Sequence, residues 1–122
     1  MKLIKADEAR ENRIMMEAIV DCYDAGERAM GWYYYLDDKL RFPFTAKCVA
    51  RREISPLEPG DEIEVLAMAS EDECGREMFV RIRWGKRGLA VPLAQLEPVS
   101  ADSQTEEGVG DWHYWLKRGY VF

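Results

Sequence analysis

The run "GWYYYLDDKLRFPF", Gly31 to Phe44, places two adjacent carboxylates, Asp37 and Asp38, directly behind an aromatic cluster. Neighbouring residues on a helix point about 100° apart. At a helix end, however, both can turn toward one cation, with backbone carbonyls freed at the terminus as further ligands. Negative charge at a helix C-terminus is also unfavourable without such a cation. Against this stands simple pairing of either aspartate with Lys39 or Arg41. The residues alone leave these two readings even.

A second acidic group follows in "SEDECGRE", with Glu71, Asp72 and Glu73. From Glu53 to Glu77 there are nine acidic residues, Asp61 and Glu62 among them, against one basic residue, Arg76. Both flanks are basic: Lys39 to Arg52 holds five basic residues and no acid, and Met78 to Leu96 holds four and no acid. Cross-strand ion pairs would absorb some of the acids, but not all of Glu71, Asp72 and Glu73. Clustered oxygens without partner cations suit calcium, which takes about six to eight oxygen ligands. Zinc does not fit, since its Cys and His ligands form no cluster. No EF-hand pattern occurs either, so a calcium site here has to be assembled from separated segments. The plainer alternative is a solvated acidic surface.

Further upstream, Glu17, Asp21 and Asp24 share one face of a predicted helix, bracketed by Arg13 and Arg28, and ion pairing is their expected role. Asp24 and Glu27 are weaker candidates for the same ion as Asp37. Catalysis finds little support. The single histidine, His113, lies inside "DWHYW", and no serine or cysteine has a visible base partner. We therefore expect no enzyme. Cys22 and Cys48 fall on apolar faces. Cys74 sits among carboxylates that disfavour its thiolate. Three cysteines without a C-x-x-C pattern read as free thiols of a reducing compartment.

The elements that must position these groups follow from periodicity. Ile14, Met15, Ala18, Ile19, Cys22 and Tyr23 mark one helical face, with Gly26 and Gly31 as places to end or bend. A second helix carries Met30, Tyr33 and Leu36 inward and stops before Pro43. From Phe42 to Ala50 the period becomes two, as in a half-buried strand. "EIEVLAMA", "MFVRIRW" and "LAVPLAQLEPV" continue the strands, with a 3₁₀ turn expected after Pro92. The order "PGDEIEV", "VRIRW", "LAVPLAQLEPV" is similar to SH3-like barrels. An α+β fold is expected: an N-terminal helical segment packed on a small SH3-like antiparallel β-barrel, with a short C-terminal helix. One domain is expected over 1–122, divided into a helical segment 1–40, a barrel 41–99, a mobile linker 100–110 and a docked segment 111–122. Asp111 would cap the last helix and Gly119 would stop it.

The 122 residues carry 17 basic and 23 acidic side chains, a net charge of -6. That balance lacks the basic footprint of nucleic-acid binding. No apolar run approaches the roughly 20 residues of a membrane span, and no signal-peptide core opens the chain. A cytoplasmic protein without membrane or nucleic-acid partners is expected.

The stretch "AIVDCYDAGERAMGWYYYLDDKLRFPFTAKC", then "GDEIEVLAMASEDECGREMFVRIRWGKRGLAVPLAQLEP" and the ending "DWHYWLKRGY", resembles a family of small bacterial, cyanobacterial-type calcium-binding proteins without EF-hands. The resemblance implies reversible calcium binding, as a cytosolic buffer or sensor, but supplies no ligand set. A different class fits the same residues: an SH3-like module binding a protein partner through exposed aromatics such as Trp32, Tyr34 or Trp84.

Overall fold

The computed structural model describes residues 5–120. Three helices and one antiparallel sheet form an α+β fold. Helix α1 (Glu8–Arg13) runs into a π-helical turn, Ile14–Ala18, and α2 spans Ala25–Lys39. Strands β1 (Phe44–Cys48), β2 (Glu62–Met68), β3 (Phe79–Trp84) and β4 (Arg87–Pro92) follow. A 3₁₀ turn, Leu93–Gln95, leads to β5 (Leu96–Val99), and α3 (Ser103–Lys117) closes the order. Among the described residues no helix is long and apolar enough to cross a membrane.

The first predicted helix is shorter than its apolar period suggested. Asp21 takes a left-handed φ of 57°, and the chain restarts at Asp24, whose side chain accepts from the Glu27 amide at 2.8 Å to cap α2. Tyr23, expected on the buried face, is exposed. Neither Gly26 nor Gly31 ends a helix: α2 runs through both. Gly31 is needed for close approach, because a Cβ there would lie 2.4 Å from the Ala18 carbonyl oxygen.

The sheet order is β4-β3-β2-β1-β5, an open sheet with β4 and β5 as edges, rather than the closed SH3-like barrel expected. Strands about 4.8 Å apart would put the edges of a flat five-stranded sheet about 19 Å apart. A single 3₁₀ turn joins them here, so the sheet is strongly curled without its edges pairing. Alternation holds over the middle of the predicted strands but not at their ends, where Ala50 and Trp84 are exposed. In β1, Phe44, Ala46 and Cys48 point inward, and in β3 Val80 and Ile82 do.

The segment expected as a mobile linker, 100–110, is helical from Ser103. Asp102, not Asp111, is the cap, accepting from the Thr105 amide at 2.7 Å. Its polar letters hid an apolar stripe: Thr105, Gly108, Val109 and Trp112 are buried at i, i+3, i+4, i+7. The helix does end as predicted at Gly119 (φ 83°), with Gly119 N–H donating to the Leu116 carbonyl and Tyr120 N–H to Trp115.

Trp32, offered above as an exposed contact residue, is fully buried. It packs edge-on to Trp112, with ring centroids 5.0 Å apart, and against Trp115 at 5.7 Å. These side chains seat α2 and α3 on Val65, Val80, Ile82 and Leu96 of the sheet. Arg13, expected to pair along its own helix, turns to α3 instead. It meets Asp111 at 2.6 Å and 3.1 Å. Arg10 reaches the same carboxylate at 3.0 Å and the Tyr35 hydroxyl donates to it at 2.6 Å. Asp111 is wholly buried, and its pairing with Arg13 raises that guanidinium's pKa.

Candidate metal centre

Two elements meet at the acidic end of the molecule: the last turns of α2 and the loop between β2 and β3. The loop folds around Cys74, which is fully buried. The Cys74 amide donates to the carbonyls of Ser70 and Glu71 at 3.2 Å and 3.1 Å. Its sulfur accepts from the Phe79 amide at 3.3 Å, and burial raises its thiol pKa. Two tyrosines dock this loop on α2. The Tyr33 hydroxyl donates to the Ala69 carbonyl at 2.8 Å, and the Tyr34 hydroxyl to Glu71.

Asp37 follows Tyr33 and Tyr34 at i+4 and i+3, on the side of α2 that faces the loop. Burial raises the Tyr33 pKa first, and the negative charge of Asp37, Glu71 and Glu73 adds to it. The hydrogen bond to Glu71 is the main cause raising Tyr34. Asp37 and the loop acids thus act on the same Tyr33 phenol. Asp38 turns elsewhere. It lines a cleft of about 630 Å³ with Glu17, Gly31, Tyr34 and Gln104.

Arginines flanking the block neutralise several of its acids. Glu64 pairs with Arg83 at 2.7 Å, and Glu77 with both nitrogens of Arg52 at 3.1 Å and 2.6 Å. Glu73 pairs with Arg81 at 3.0 Å and accepts from the Ser70 hydroxyl and amide; those Ser70 bonds are the main cause lowering its pKa. Among the described residues no basic side chain lies within ion-pair distance of Asp37, Asp38, Glu71 or Asp72. Asp72 opens with Glu73 and Glu77 onto a second cleft of about 580 Å³.

The remaining candidates lie apart. Asp24 and Glu27 stand at the N-terminus of α2, and Asp24 is about 20 Å along the helix from Asp37, too far to share an ion. Asp61 and Glu62 occupy the opposite end of β2 from the loop, also about 20 Å away. Asp61 accepts from the Glu58 amide at 2.9 Å in a tight turn, and Glu62 faces Lys47 across the sheet. Missed in the sequence were the two tyrosine hydroxyls and the buried thiol that hold the loop in place. The only available signal was their spacing from Asp37.

The exposed donors at this end are carboxylate oxygens, with the Cys74 sulfur buried, which fits a hard divalent cation and not zinc. Among the described residues no three carboxylate, histidine or cysteine side chains stand close enough to hold an ion together. A calcium ion there would draw its remaining ligands from carbonyls and water.

A family model described as calcium binding, the CcbP type, matches residues 12–116. The chain belongs to this family. Two solved structures match it over the full length of both chains. The crystal structure of Anabaena CcbP has 44 % sequence identity and a TM-score of 0.88. A calcium-binding protein in its calcium-binding form has 44 % identity and a TM-score of 0.86. No curated protein matches the chain. Membership in the CcbP family agrees with the resemblance read from the aromatic and acidic runs.

Proposed function

We propose that the chain binds calcium reversibly, as a buffer or sensor, between the last turn of α2 and the β2–β3 loop. The observation that carries this is four exposed carboxylates without cation partners among the described residues: Asp37 and Asp38 at the negative end of the α2 dipole, and Glu71 and Asp72 in the loop that Tyr34 ties to α2. Asp37, Glu71 and Asp72 are the primary ligand candidates. Glu73 is partly committed to Arg81, and Asp38 faces the neighbouring cleft. Family membership supports the choice of calcium.

Because no three of these groups converge, the loop has to bring Glu71 and Asp72 toward Asp37. That requirement favours a flexible ligand shell, which calcium accepts and magnesium, with its strict octahedral geometry, does not. It also favours modest affinity, since the loop loses conformational freedom on binding.

Calorimetry on chelator-stripped protein in excess magnesium tests the proposal. A saturable calcium heat is expected, weakened about tenfold or more in Asp37→Asn and Glu71→Gln, each of which removes a charged ligand. Glu106→Gln, an exposed change on α3, should bind as the parent does. No calcium heat at millimolar concentration would overturn the proposal. Unchanged affinity in the Asp37→Asn, Glu71→Gln double variant would move the site elsewhere.

A further inference from the structure

Eight large hydrophobic side chains are exposed among the described residues, and four of them fall within nine consecutive positions. These are Met15 (52 % exposed), Met16 (62 %), Val20 (48 %) and Tyr23 (81 %). The exposure does not come from a loose terminus. Ile14, Ala18 and Ile19 of the same segment are buried, so the π-helical turn is anchored on one side and presents apolar groups on the other.

Acidic residues outnumber basic ones around this surface, with Arg28 as the basic neighbour at its far edge. Between residues 14 and 27 stand Glu17, Asp21, Asp24 and Glu27, with no lysine or arginine. Among the described residues none of the four has an ion-pair partner. Arg13, at the edge, is committed to Asp111 and Glu107.

We propose that Met15, Met16, Val20 and Tyr23 form a docking surface for a cationic amphipathic segment of another protein. Its apolar side chains would cover the four, and its lysines or arginines would meet the acidic rim. Clustered exposed apolar groups within a polar rim mark interaction surfaces. Methionine adapts its shape to varied partners at little cost. The unpaired acids supply charge complementarity, which excludes acidic partners and speeds encounter with basic ones. The surface lies toward the N-terminal end of α2; its rim acid Glu17 shares a cleft with Asp38, but not with Asp37, Glu71 or Asp72, the primary calcium ligands proposed above.

The test uses the full-length chain and a labelled leucine–lysine peptide that forms an amphipathic helix. A serine–lysine peptide of equal charge and a leucine–glutamate peptide serve as controls. Fluorescence anisotropy should show saturable binding of the leucine–lysine peptide alone, weakening as salt rises. The triple variant Met16→Ser, Val20→Ser, Tyr23→Ser should lose about tenfold or more in affinity. Its circular dichroism should match the parent, and the single variant Tyr23→Ser should move the same way if the triple variant folds poorly. Equal binding of the serine–lysine peptide, or undiminished binding by the variants, would overturn the proposal. So would parent-only dimerisation in sedimentation, which makes a second copy the occupant. Parent-only binding to neutral phosphatidylcholine vesicles would likewise reassign the surface to lipid.

Discussion

At Asp111 three donors from two helices converge on one buried carboxylate of a third. Removing one member of a buried, hydrogen-bonded ion pair strands the rest, so Asp111→Ala should cost about 3–5 kcal/mol in urea unfolding. Tyr35 adds a pH signature. Burial first, and then its hydrogen bond to Asp111, push its phenol from 10.0 up to about 12. A raised folded-state pKa means that its contribution is complete below about pH 10 and is lost as pH rises toward 12. Stability followed by circular dichroism should therefore fall across that window, and less steeply in Tyr35→Phe. None of this was visible in the chain itself. Asp111 opens the docked segment, where it was expected as a helix cap, and its partners are 76 to 101 positions away. A buried aspartate has no local sequence mark.

Elements were legible to the degree that their signals are local. The alternation of Phe44, Ala46 and Cys48 and the turn at Gly119 report on their immediate neighbours, and both were read correctly. The C-terminal helix was expected, but its first turns were read as a linker because glycines and acids dominate them, and the buried positions Thr105 and Gly108 are not apolar letters. The break before α2 was missed because Cys22 and Tyr23 continued an apolar period that the backbone abandons at Asp21. Two glycines of α2 separate packing from propensity. Gly31→Ala would drive a methyl into the Ala18 carbonyl and should destabilise by about 1–3 kcal/mol. Gly26→Ala meets only the Asp24 carboxylate at 3.4 Å, and should stabilise by about 0.5 kcal/mol through helix propensity. Thermal unfolding of the pair checks both signs. Asp24→Asn keeps a competent cap and should hold stability within about 0.5 kcal/mol. Calcium affinity by calorimetry should also stay unchanged, because Asp24 is remote from Asp37.

For the molecule as a whole, the charge blocks foretold which strands would face each other better than they foretold the ligand set. Acids of β2 and its loop pair with arginines outside that block, through Glu64–Arg83, Glu73–Arg81 and Glu77–Arg52. Among the described residues, the loop acids Glu71 and Asp72 are left without such a partner. A ligand that binds only the folded state stabilises it by about 2.7 kcal/mol at a hundredfold excess over its Kd. Calcium should accordingly raise the melting temperature of the parent, and Asp37→Asn should blunt that rise. The tryptophans divide the molecule in a second way. Trp32, Trp112 and Trp115 are locked in the core where α2 meets α3, whereas Trp84 lies on the exposed β3–β4 hairpin. In a Trp84→Phe variant, tryptophan emission would come from the interior alone. Such a protein would distinguish a chain that merely sequesters an ion from one that transmits its arrival. Silent emission on calcium addition would mark a buffer, and a shifted spectrum a sensor whose helices repack.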